Sequence, residues 1–265
     1  MKSVFRHVGA YFWYLRANWL SLMAYPVPFV VVNLAGLLYS LVSAAAVWII
    51  FSKVRAIGGW SFPQVLLIYG FSILSRSLFH LFCVNIVTLS GMIRNGDIDR
   101  ILVRPLNPLF QVIADYLDND DYGEFAAGCY LIWVSLGMLG MRTVANLAWA
   151  VIAAISGGII YTSVHLIANT MSFFTIENRA ITVLAWVLDG FTRYPLDIYG
   201  RGIRSLLTWV IPFGFVSFYP AQAILQASRP LALAGKLTPA VALLFSSVAY
   251  GIWKWGLNNY QGVGN

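Results

Sequence analysis

Charged residues are scarce in this sequence. Only 10% of its 265 residues are Asp, Glu, Lys or Arg, whereas hydrophobic residues make up 60% and the mean hydropathy is +0.75. A soluble domain carries about a quarter charged residues, so a water-soluble chain of this composition could not cover its apolar surface. A bilayer removes that requirement, because lipid becomes the solvent of the apolar face. The composition therefore predicts an integral membrane protein.

Catalytic motifs are also missing. The sequence has no G-x-x-x-x-G-K-[ST] phosphate loop, no H-E-x-x-H, no CxxC pair and no G-x-S-x-G elbow. Cys83 and Cys129 each stand alone in an apolar run, so we interpret them as small core residues. Ser90-Gly91 and Ser156-Gly157-Gly158 predict close helix packing rather than nucleophile sites. We expect this chain to be no enzyme and to hold no metal or cofactor of its own.

Basic residues outnumber acidic ones by 17 to 10, which gives a net charge of +7. They are scattered between apolar runs and form no cluster that would track phosphates, so nucleic acid is not an expected partner. In a membrane protein, the same excess carries topology information and attracts anionic lipid headgroups. Membrane lipids are therefore expected partners.

Apolar runs predict an all-α integral membrane fold with six transmembrane helices in one domain, residues 24–265. The predicted spans are residues 26–51, 62–93, 125–141, 144–170, 203–225 and 239–257. Pro212 and Pro220 interrupt the fifth span, which predicts a broken or re-entrant helix. The apolar run 180–191 is too short to span, so we place it along the surface or as a partial entry. If this run crosses, the count becomes seven.

Residues 2–22 predict an amphipathic helix that precedes the first span. Basic helices with an aromatic apolar face lie in the membrane surface, so residues 1–23 are assigned as an interfacial element. Arg6, His7 and Arg16 interrupt the continuous apolar core that a secretory signal needs. The apolar residues recur at spacings of three and four: Phe5, Val8, Phe12, Leu15, Trp19 and Leu22.

The distribution of Lys and Arg predicts the orientation. With six spans and a cytoplasmic N-terminus, eleven basic residues lie on the cytoplasmic side, five lie on the other side, and Arg76 lies within a span. By the positive-inside rule, both termini are cytoplasmic. The cytoplasmic set is Lys2, Arg6, Arg16, Arg94, Arg100, Arg104, Arg179, Arg193, Arg201, Arg204 and Lys254, and the other set is Lys53, Arg55, Arg142, Arg229 and Lys236.

Polar residues within two spans form stripes. A charge within a span is costly and faces protein or water rather than lipid. Two interpretations stay open, a polar lining of a substrate path or interhelical hydrogen bonds that hold the bundle together. No acidic partner is apparent within a span, so the pattern does not predict a proton relay. The candidate path residues are Ser72, Arg76 and His80 on the second span, with His165 and Asn169, next to Thr162, on the fourth.

Seven of the ten carboxylates lie between Asp97 and Glu124. We expect so many neighbouring acids to be solvated. The segment then predicts a water-exposed helix entry whose charge can meet a basic partner surface, and a plain solvated face is the alternative interpretation.

The polar loop 94–108 predicts a rigid hairpin between the second and third spans. A short helix from Gly96 to Leu102 is stopped by Arg104-Pro105, and Asn107-Pro108 forces a turn. We expect Ile98, Ile101 and Leu102 on one side of this helix. A hairpin of this kind can transmit a push from a soluble partner into two long helices.

The loop resembles the cytoplasmic loop of bacterial ABC-2-type permeases, the membrane subunits of ATP-driven exporters. The run from Gly96 to Pro108, GDIDRILVRPLNP, is similar to the G-x-x-D-R-x-L-x-R-P-L-N-P pattern of one branch. Three further runs are similar to that branch: RYPLDIY at 193–199, LLTWVIPF at 206–213 and FYPA at 218–221. The surface helix, the six spans and the total length are similar too.

This resemblance implies a permease that dimerises with itself or with a sister subunit in the bacterial inner membrane. Two separate ATP-binding cassette ATPases, which would hold ATP and Mg, would dock underneath. Residues 2–22 would serve as an interfacial elbow helix, and the loop would serve as the coupling helix. The ATPase-coupling residues would be Gly96, Asp97, Ile98, Asp99, Arg100, Ile101, Leu102, Arg104, Pro105, Leu106, Asn107 and Pro108.

Short outer loops leave no room for a receptor domain, which favours export, and the apolar composition suits a hydrophobic or amphipathic substrate. The alternative is an ATP-independent channel or an anchor subunit, which predicts a stable assembly with no ATPase. An intramembrane enzyme would need a His/Asp or Ser/Lys constellation at one depth, and the Arg76–His80 pair does not supply one.

Overall fold

The computed structural model describes residues 26–116, 120–175, 178–226 and 228–260. The predicted amphipathic helix, residues 2–22, lies outside the described residues. Within them the fold is helical and contains no β-strand, which confirms the all-α class.

Twelve α-helices occur in the described residues, joined by short 3₁₀ turns and one π turn. Four helical segments are long and apolar enough to cross a membrane: Pro26–Lys53, Phe62–Arg94, Val144–Phe173 and Thr238–Asn258. The helices are α1 Pro26–Lys53, α2 Phe62–Cys83, α3 Leu89–Arg94, α4 Asp97–Leu102, α5 Pro108–Asp115, α6 Tyr122–Met138, α7 Val144–Thr170, α8 Arg179–Asp189, α9 Arg201–Ser205, α10 Phe218–Leu225, α11 Arg229–Lys236 and α12 Thr238–Asn258.

The predicted first, second, fourth and sixth spans agree with these four segments to within a few residues. The predicted third span, 125–141, is helix α6, whose 17 residues rise only about 25 Å and fall short of a ~30 Å hydrocarbon core. It packs between α1 and α2 rather than standing alone in lipid. The described helices therefore confirm a membrane-embedded bundle but do not establish a count of six spans.

Local capping explains where two of the long helices begin. The backbone N–H of Ser61 donates to the side-chain oxygen of Gln64 at 2.9 Å, and Pro63 occupies the first turn of α2, where its missing N–H costs least. At the start of α7, the Thr143 hydroxyl accepts from the N–H of Asn146 at 3.2 Å.

The bundle has two ends, which we call the hairpin end and the distal end. At the hairpin end, Asn33 near the start of α1 accepts from the N–H of Gly123 at 2.9 Å, and Trp253 near the end of α12 packs on Phe173. At the distal end, the Trp149 indole donates to the Pro220 carbonyl at 3.2 Å. Both described ends of the chain therefore lie on the side of the bundle that carries the hairpin.

The predicted fifth span, 203–225, is broken at Pro212 as predicted, whereas Pro220 lies in the first turn of α10 and does not interrupt it. A π turn at Leu206–Val210 ends before Pro212, and α10 begins at Phe218. The Thr208 hydroxyl lies 3.1 Å from the Tyr219 hydroxyl, so the chain doubles back on itself. The segment enters the bundle from the distal end as far as Val216, whose carbonyl accepts from the Ser75 hydroxyl at 3.4 Å, and then returns, so it is re-entrant and does not span.

The run 180–191 enters the bundle as helix α8. Ala185, Leu188 and Asp189 are buried on the face of α8 that packs against α7. The chain then continues through two 3₁₀ turns to Ile198, whose Cγ2 would lie 3.9 Å from a Cβ on Gly58 at the distal end. A 3₁₀ turn rises about 2.0 Å per residue, whereas an α-helix rises about 1.5 Å. Residues 190–198 therefore extend farther than the same number of α-helical residues would.

This path moves two basic residues away from their predicted side. Arg204 lies 3.7 Å from Asp197 at the distal end, and Arg201 is in the same helix, α9. Arg193 is half-buried near Asp189. With Arg193 counted on neither side, the predicted eleven against five becomes eight against seven, so charge counting no longer decides the orientation, and the cytoplasmic placement of both termini stays a prediction.

Glycines let α2 approach its neighbours closely. A Cβ on Gly128 of α6 would lie 2.9 Å from the backbone nitrogen of Leu74, and a Cβ on Gly157 of α7 would overlap the Ser75 hydroxyl. The predicted close packing at 156–158 is confirmed. The same prediction for Ser90-Gly91 is wrong, because a Cβ on Gly91 would meet nothing within 4 Å.

Gly128→Ala should lower the melting temperature of the purified protein in detergent. The new methyl group would overlap Leu74 backbone atoms, which cannot rotate away, and overpacking of this kind costs about 1–3 kcal/mol. Gly251→Ala is the matched control, because a Cβ at this helical glycine has nothing within 4 Å. The control should melt at the original temperature or slightly above it. Equal melting temperatures for the two variants would contradict the close α2–α6 contact.

Candidate functional site in the hairpin and the buried polar cluster

The hairpin forms as the sequence predicted. Gly96 adopts φ +75°, a left-handed conformation that glycine tolerates, and α4 follows at Asp97–Leu102. Asn107 caps α5 by accepting from the N–H of Phe110 at 3.2 Å, with Pro108 at the first helical position.

Buried side chains and two amides fix the hairpin to the bundle. Ile98 and Ile101 belong to an apolar cluster that also contains Val112 and Trp253. The Gln111 amide donates to the carbonyl of Ile101 at 3.2 Å and to that of Leu106 at 3.1 Å. At the next residue of α5, the Val112 carbonyl accepts from the Asn85 amide at 2.6 Å. The hairpin is therefore a rigid extension of α2–α3 that also rests on α12.

Part of the hairpin faces outward. Val103 is 84% exposed and Leu102 is 40% exposed, whereas Ile98 and Ile101, which were predicted on one side with Leu102, are buried. Leu102 is the last residue of a six-residue helix, beyond the contacts that bury Ile98 and Ile101. Arg100 is exposed and pairs with Asp97 at 2.6 Å.

The other predicted coupling residues lie on the same hairpin. Asn107 contacts the Tyr250 hydroxyl at 3.3 Å. Arg104 and Pro105 are exposed, whereas Asp99, Leu106 and Pro108 are half-buried. A groove of about 300 Å³ runs beside α4, between the side chains of Arg100, Arg104 and Asp115.

A second group of polar residues lies inside the bundle. Arg76 on α2 forms an ion pair with Glu124 on α6, and Glu124 is only 8% exposed. The interpretation of all the acids as solvated is therefore wrong for Glu124. Because α6 begins at Tyr122, Glu124 lies in the first turn of a helix that packs between α1 and α2. Arg76 does have an acidic partner within the bundle.

His80, one turn further along α2, has a partner of the same kind. Its Nδ1 lies 2.7 Å from an Asp121 carboxylate oxygen. Neither pair has a local signal in the sequence, because Arg76 and His80 are four residues apart, whereas Asp121 and Glu124 are three apart and Asp121 precedes α6. The partners lie more than 40 residues apart in the chain, so no local pattern could identify them.

His165 lies next to this pair without a hydrogen bond. Its ring is fully buried, and neither ring nitrogen has a partner among the described residues. The ring stacks on Phe79 at 4.7 Å between centroids and contacts Trp186 at 4.3 Å. It packs as an aromatic ring in the interface of α2, α7 and α8.

A further buried network centres on Thr192. Its hydroxyl lies 2.6 Å from that of Ser72 and 3.0 Å from that of Tyr161, and the Tyr161 hydroxyl donates to Asp189. Ser217 donates to the Thr192 carbonyl. These contacts join α2, α7, the turn after α8 and the doubled-back segment. Of its members, only Ser72 was among the predicted path residues, and Asp189, which ends an apolar run, is a further sequence signal.

The predicted path residues are only partly brought together. Ser72, Arg76, His80 and His165 line the interface of α2 with its neighbours, whereas Asn169 lies nearer the hairpin end, where its amide oxygen accepts from Thr182 at 3.2 Å. Each polar contact of Ser72, Arg76 and His80 joins two segments, which favours the interhelical interpretation for this conformation. Within the described ranges, no group of three or more His, Cys, Asp or Glu residues is placed to hold a metal ion.

Comparison with known proteins gives one family. The family model described as "ABC-2 family transporter protein" matches residues 37–264, which is most of the chain. No curated protein and no solved structure matches.

Removing one partner of the Arg76–Glu124 pair should destabilise the bundle. Arg76→Met and Glu124→Gln should each lower the free energy of unfolding by about 3–5 kcal/mol, because each leaves a buried group unpaired. The double variant should be less destabilised than the sum of the two, with a coupling of about 1 kcal/mol or more, measured by unfolding in detergent. The matched pair Arg100→Met and Asp97→Asn, which is exposed, should show almost no coupling. Additive effects at Arg76 and Glu124 would mean that the ion pair does not form.

Proposed function

Since the chain belongs to the ABC-2 family of transporter proteins, we propose that it is the permease subunit of an ABC exporter in the bacterial inner membrane. The family and the long apolar helices make it a multi-pass membrane protein and a translocation subunit. In the proposed complex, separate ATP-binding cassette ATPases bind and hydrolyse Mg-ATP. This chain dimerises with itself or with a sister subunit and supplies the path through the bilayer.

One observation supports this proposal most strongly, the hairpin with its exposed tip and its buried root. Leu102 and Val103 offer an apolar contact for a soluble partner, flanked by the Arg100–Asp97 pair. Ile98 and Ile101, on the other side, are locked into the bundle. Exposed apolar side chains next to charged ones are typical of a protein interface. A merely connecting loop would not need both features.

A push on this hairpin would pass along the segment Phe62–Arg94, which we call the rod. The rod consists of α2, a 3₁₀ turn at Val84–Thr88 and α3, has 33 residues, or about 50 Å at the rise of an α-helix, and joins α4 through only two residues. ATP-driven approach of two ATPases beneath two such hairpins would tilt the rods. Rigid-body displacement of packed helices is a common form of this transition.

Such a tilt would act on the buried polar cluster, by which we mean the Arg76–Glu124 and His80–Asp121 pairs together with the network around Thr192. Arg76 and His80 on the rod pair with Glu124 and Asp121 at the entry of α6. Opening a path between α2 and α6 would break these pairs, and the freed groups would need water or substrate as new partners. Ser72, Arg76, His80 and His165 would then line the path of a hydrophobic or amphipathic substrate, with Asn169 nearer the hairpin.

The competing proposal is an ATP-independent channel or an anchor subunit. It requires no soluble partner at the hairpin, so the exposure of Val103 would have no role. Copurification separates the two proposals, because a channel or anchor purifies in a stable assembly that contains no ATPase.

Val103→Asp should abolish or strongly reduce copurification of the ATPase with the membrane-extracted protein. A charge at the exposed tip would enter the docking contact without disturbing the fold, since Val103 is 84% exposed. Val144→Asp is the matched control at the distal end, where Val144 is 85% exposed, and it should copurify normally. Quantitative mass spectrometry of the purified complexes measures both.

Equal ATPase recovery with the two variants would show that the hairpin tip is not the docking surface. Absence of any ATPase from the unaltered complex, prepared under conditions that preserve membrane assemblies, would favour the channel or anchor proposal instead.

A further inference from the structure

A groove of about 770 Å³ opens at the distal end, far from the hairpin. It lies between the start of α7, which contributes Asn146 and Trp149, and the α10–α11 connection, which contributes Gln226. Helix α11 forms the remaining wall. This groove belongs to neither the hairpin nor the buried polar cluster.

The wall that α11 presents has cations at both ends and an apolar centre. Arg229, Ala232, Leu233 and Lys236 line the groove and follow the spacing i, i+3, i+4 and i+7, which places them on one helix face. The two charged residues are seven positions apart, or about 10 Å along the axis. Leu233, between them, is 61% exposed.

The distal end around this groove carries a strong excess of positive charge. In the described part of the chain, neither Arg229 nor Lys236 forms a salt bridge. Among the described residues of the distal end, Asp197 is the one acid. The basic residues there number seven: Lys53, Arg55, Arg142, Arg201, Arg204, Arg229 and Lys236. The groove therefore attracts anions.

The backbone at Gln226, at the mouth of the groove, adopts a strained conformation. Gln226 ends α10 with φ +48°, and it is the one non-glycine residue with positive φ among those described. Helices commonly end with glycine in this conformation, because a Cβ makes it strained. Strained positions of this kind cluster at ligand-binding sites. Here the strain places an amide side chain in the groove wall.

We propose that this groove binds the phosphate headgroup of an anionic, membrane-inserted amphiphile. Arg229 and Lys236 would bind the phosphate, for which the guanidinium fork of arginine is well shaped. Gln226 and Asn146 would bind hydroxyl or amide groups of the headgroup. Leu233 would contact the beginning of the acyl chain, and Trp149 is of the type that favours this interfacial depth. The apolar centre between the cations favours an amphiphile over a free anion.

The inference does not depend on ATP-driven transport. The groove lies at the opposite end from the hairpin, so purified chain without ATPase can be tested. A failure here would leave the proposed docking function intact, and a failure of docking would leave this site intact.

The test measures binding of dioctanoyl phosphatidylglycerol to the purified full chain in nonionic detergent by isothermal titration calorimetry. Dioctanoyl phosphatidylcholine and inorganic phosphate are the comparison probes. The double variant R229Q/K236Q should lose about ten- to thirtyfold in affinity for phosphatidylglycerol, because each basic residue near an anionic headgroup contributes about 1 kcal/mol. The control K53Q/R55Q removes the same charge from the same end outside the groove and should lose less than twofold.

Two further variants keep the test decisive. Gln226→Gly relieves the backbone strain, so it should melt at or above the original temperature while binding phosphatidylglycerol more weakly. Leu233→Ser should weaken phosphatidylglycerol binding and leave the weak binding of inorganic phosphate unchanged.

Three results would overturn the proposal. An equal loss with K53Q/R55Q would mean that only the diffuse charge of the distal end attracts the lipid. Equal affinity for phosphatidylcholine would exclude selection of an anionic headgroup. Equal affinity for inorganic phosphate would identify a site for soluble anions rather than for amphiphiles.

Discussion

A polar side chain inside this bundle can find partners only in other side chains and backbone groups, because lipid offers none. The Arg76–Glu124 ion pair shows how far this constraint shapes the structure. It fixes the start of α6 against the middle of α2, and the glycine contacts at Gly128 and Gly157 then bring three helices within touching distance. His80 with Asp121, and Thr192 with Ser72 and Tyr161, satisfy the same requirement at neighbouring points.

The two ends of the bundle have different chemistry. The hairpin end carries a fixed helical element with an apolar tip and balanced charges, which suits contact with another protein. The distal end carries a strong excess of positive charge and a concave, partly apolar surface, which suits contact with anionic lipid. Both surfaces are connected to the buried polar cluster, the first through α2 and the second through the doubled-back segment that Ser217 ties to Thr192.

Local signals predicted what depends on local structure. The hairpin was predicted to within a residue because Gly96, Pro105, Asn107 and Pro108 determine the backbone by themselves. The partners of Arg76 and His80 were missed, since Asp121 and Glu124 look like solvated acids until α6 is known to begin at Tyr122. The fifth span was misplaced for a similar reason. Apolar length favoured 203–225, but tertiary contacts fold that segment back and bring α8 into the bundle instead, which also moved Arg201 and Arg204 to the other end.

The close contacts around α2 have a mechanical consequence. Where Gly128 and Gly157 meet Leu74 and Ser75, even one methyl group would not fit, so neighbouring helices have no slack in which to slide past each other. The central helices therefore cannot slide along one another, and a force on α2 must either carry α6 and α7 with it or separate them as whole helices. Sliding displacements must be taken up at looser boundaries, such as the outer side of α1, where most side chains are exposed.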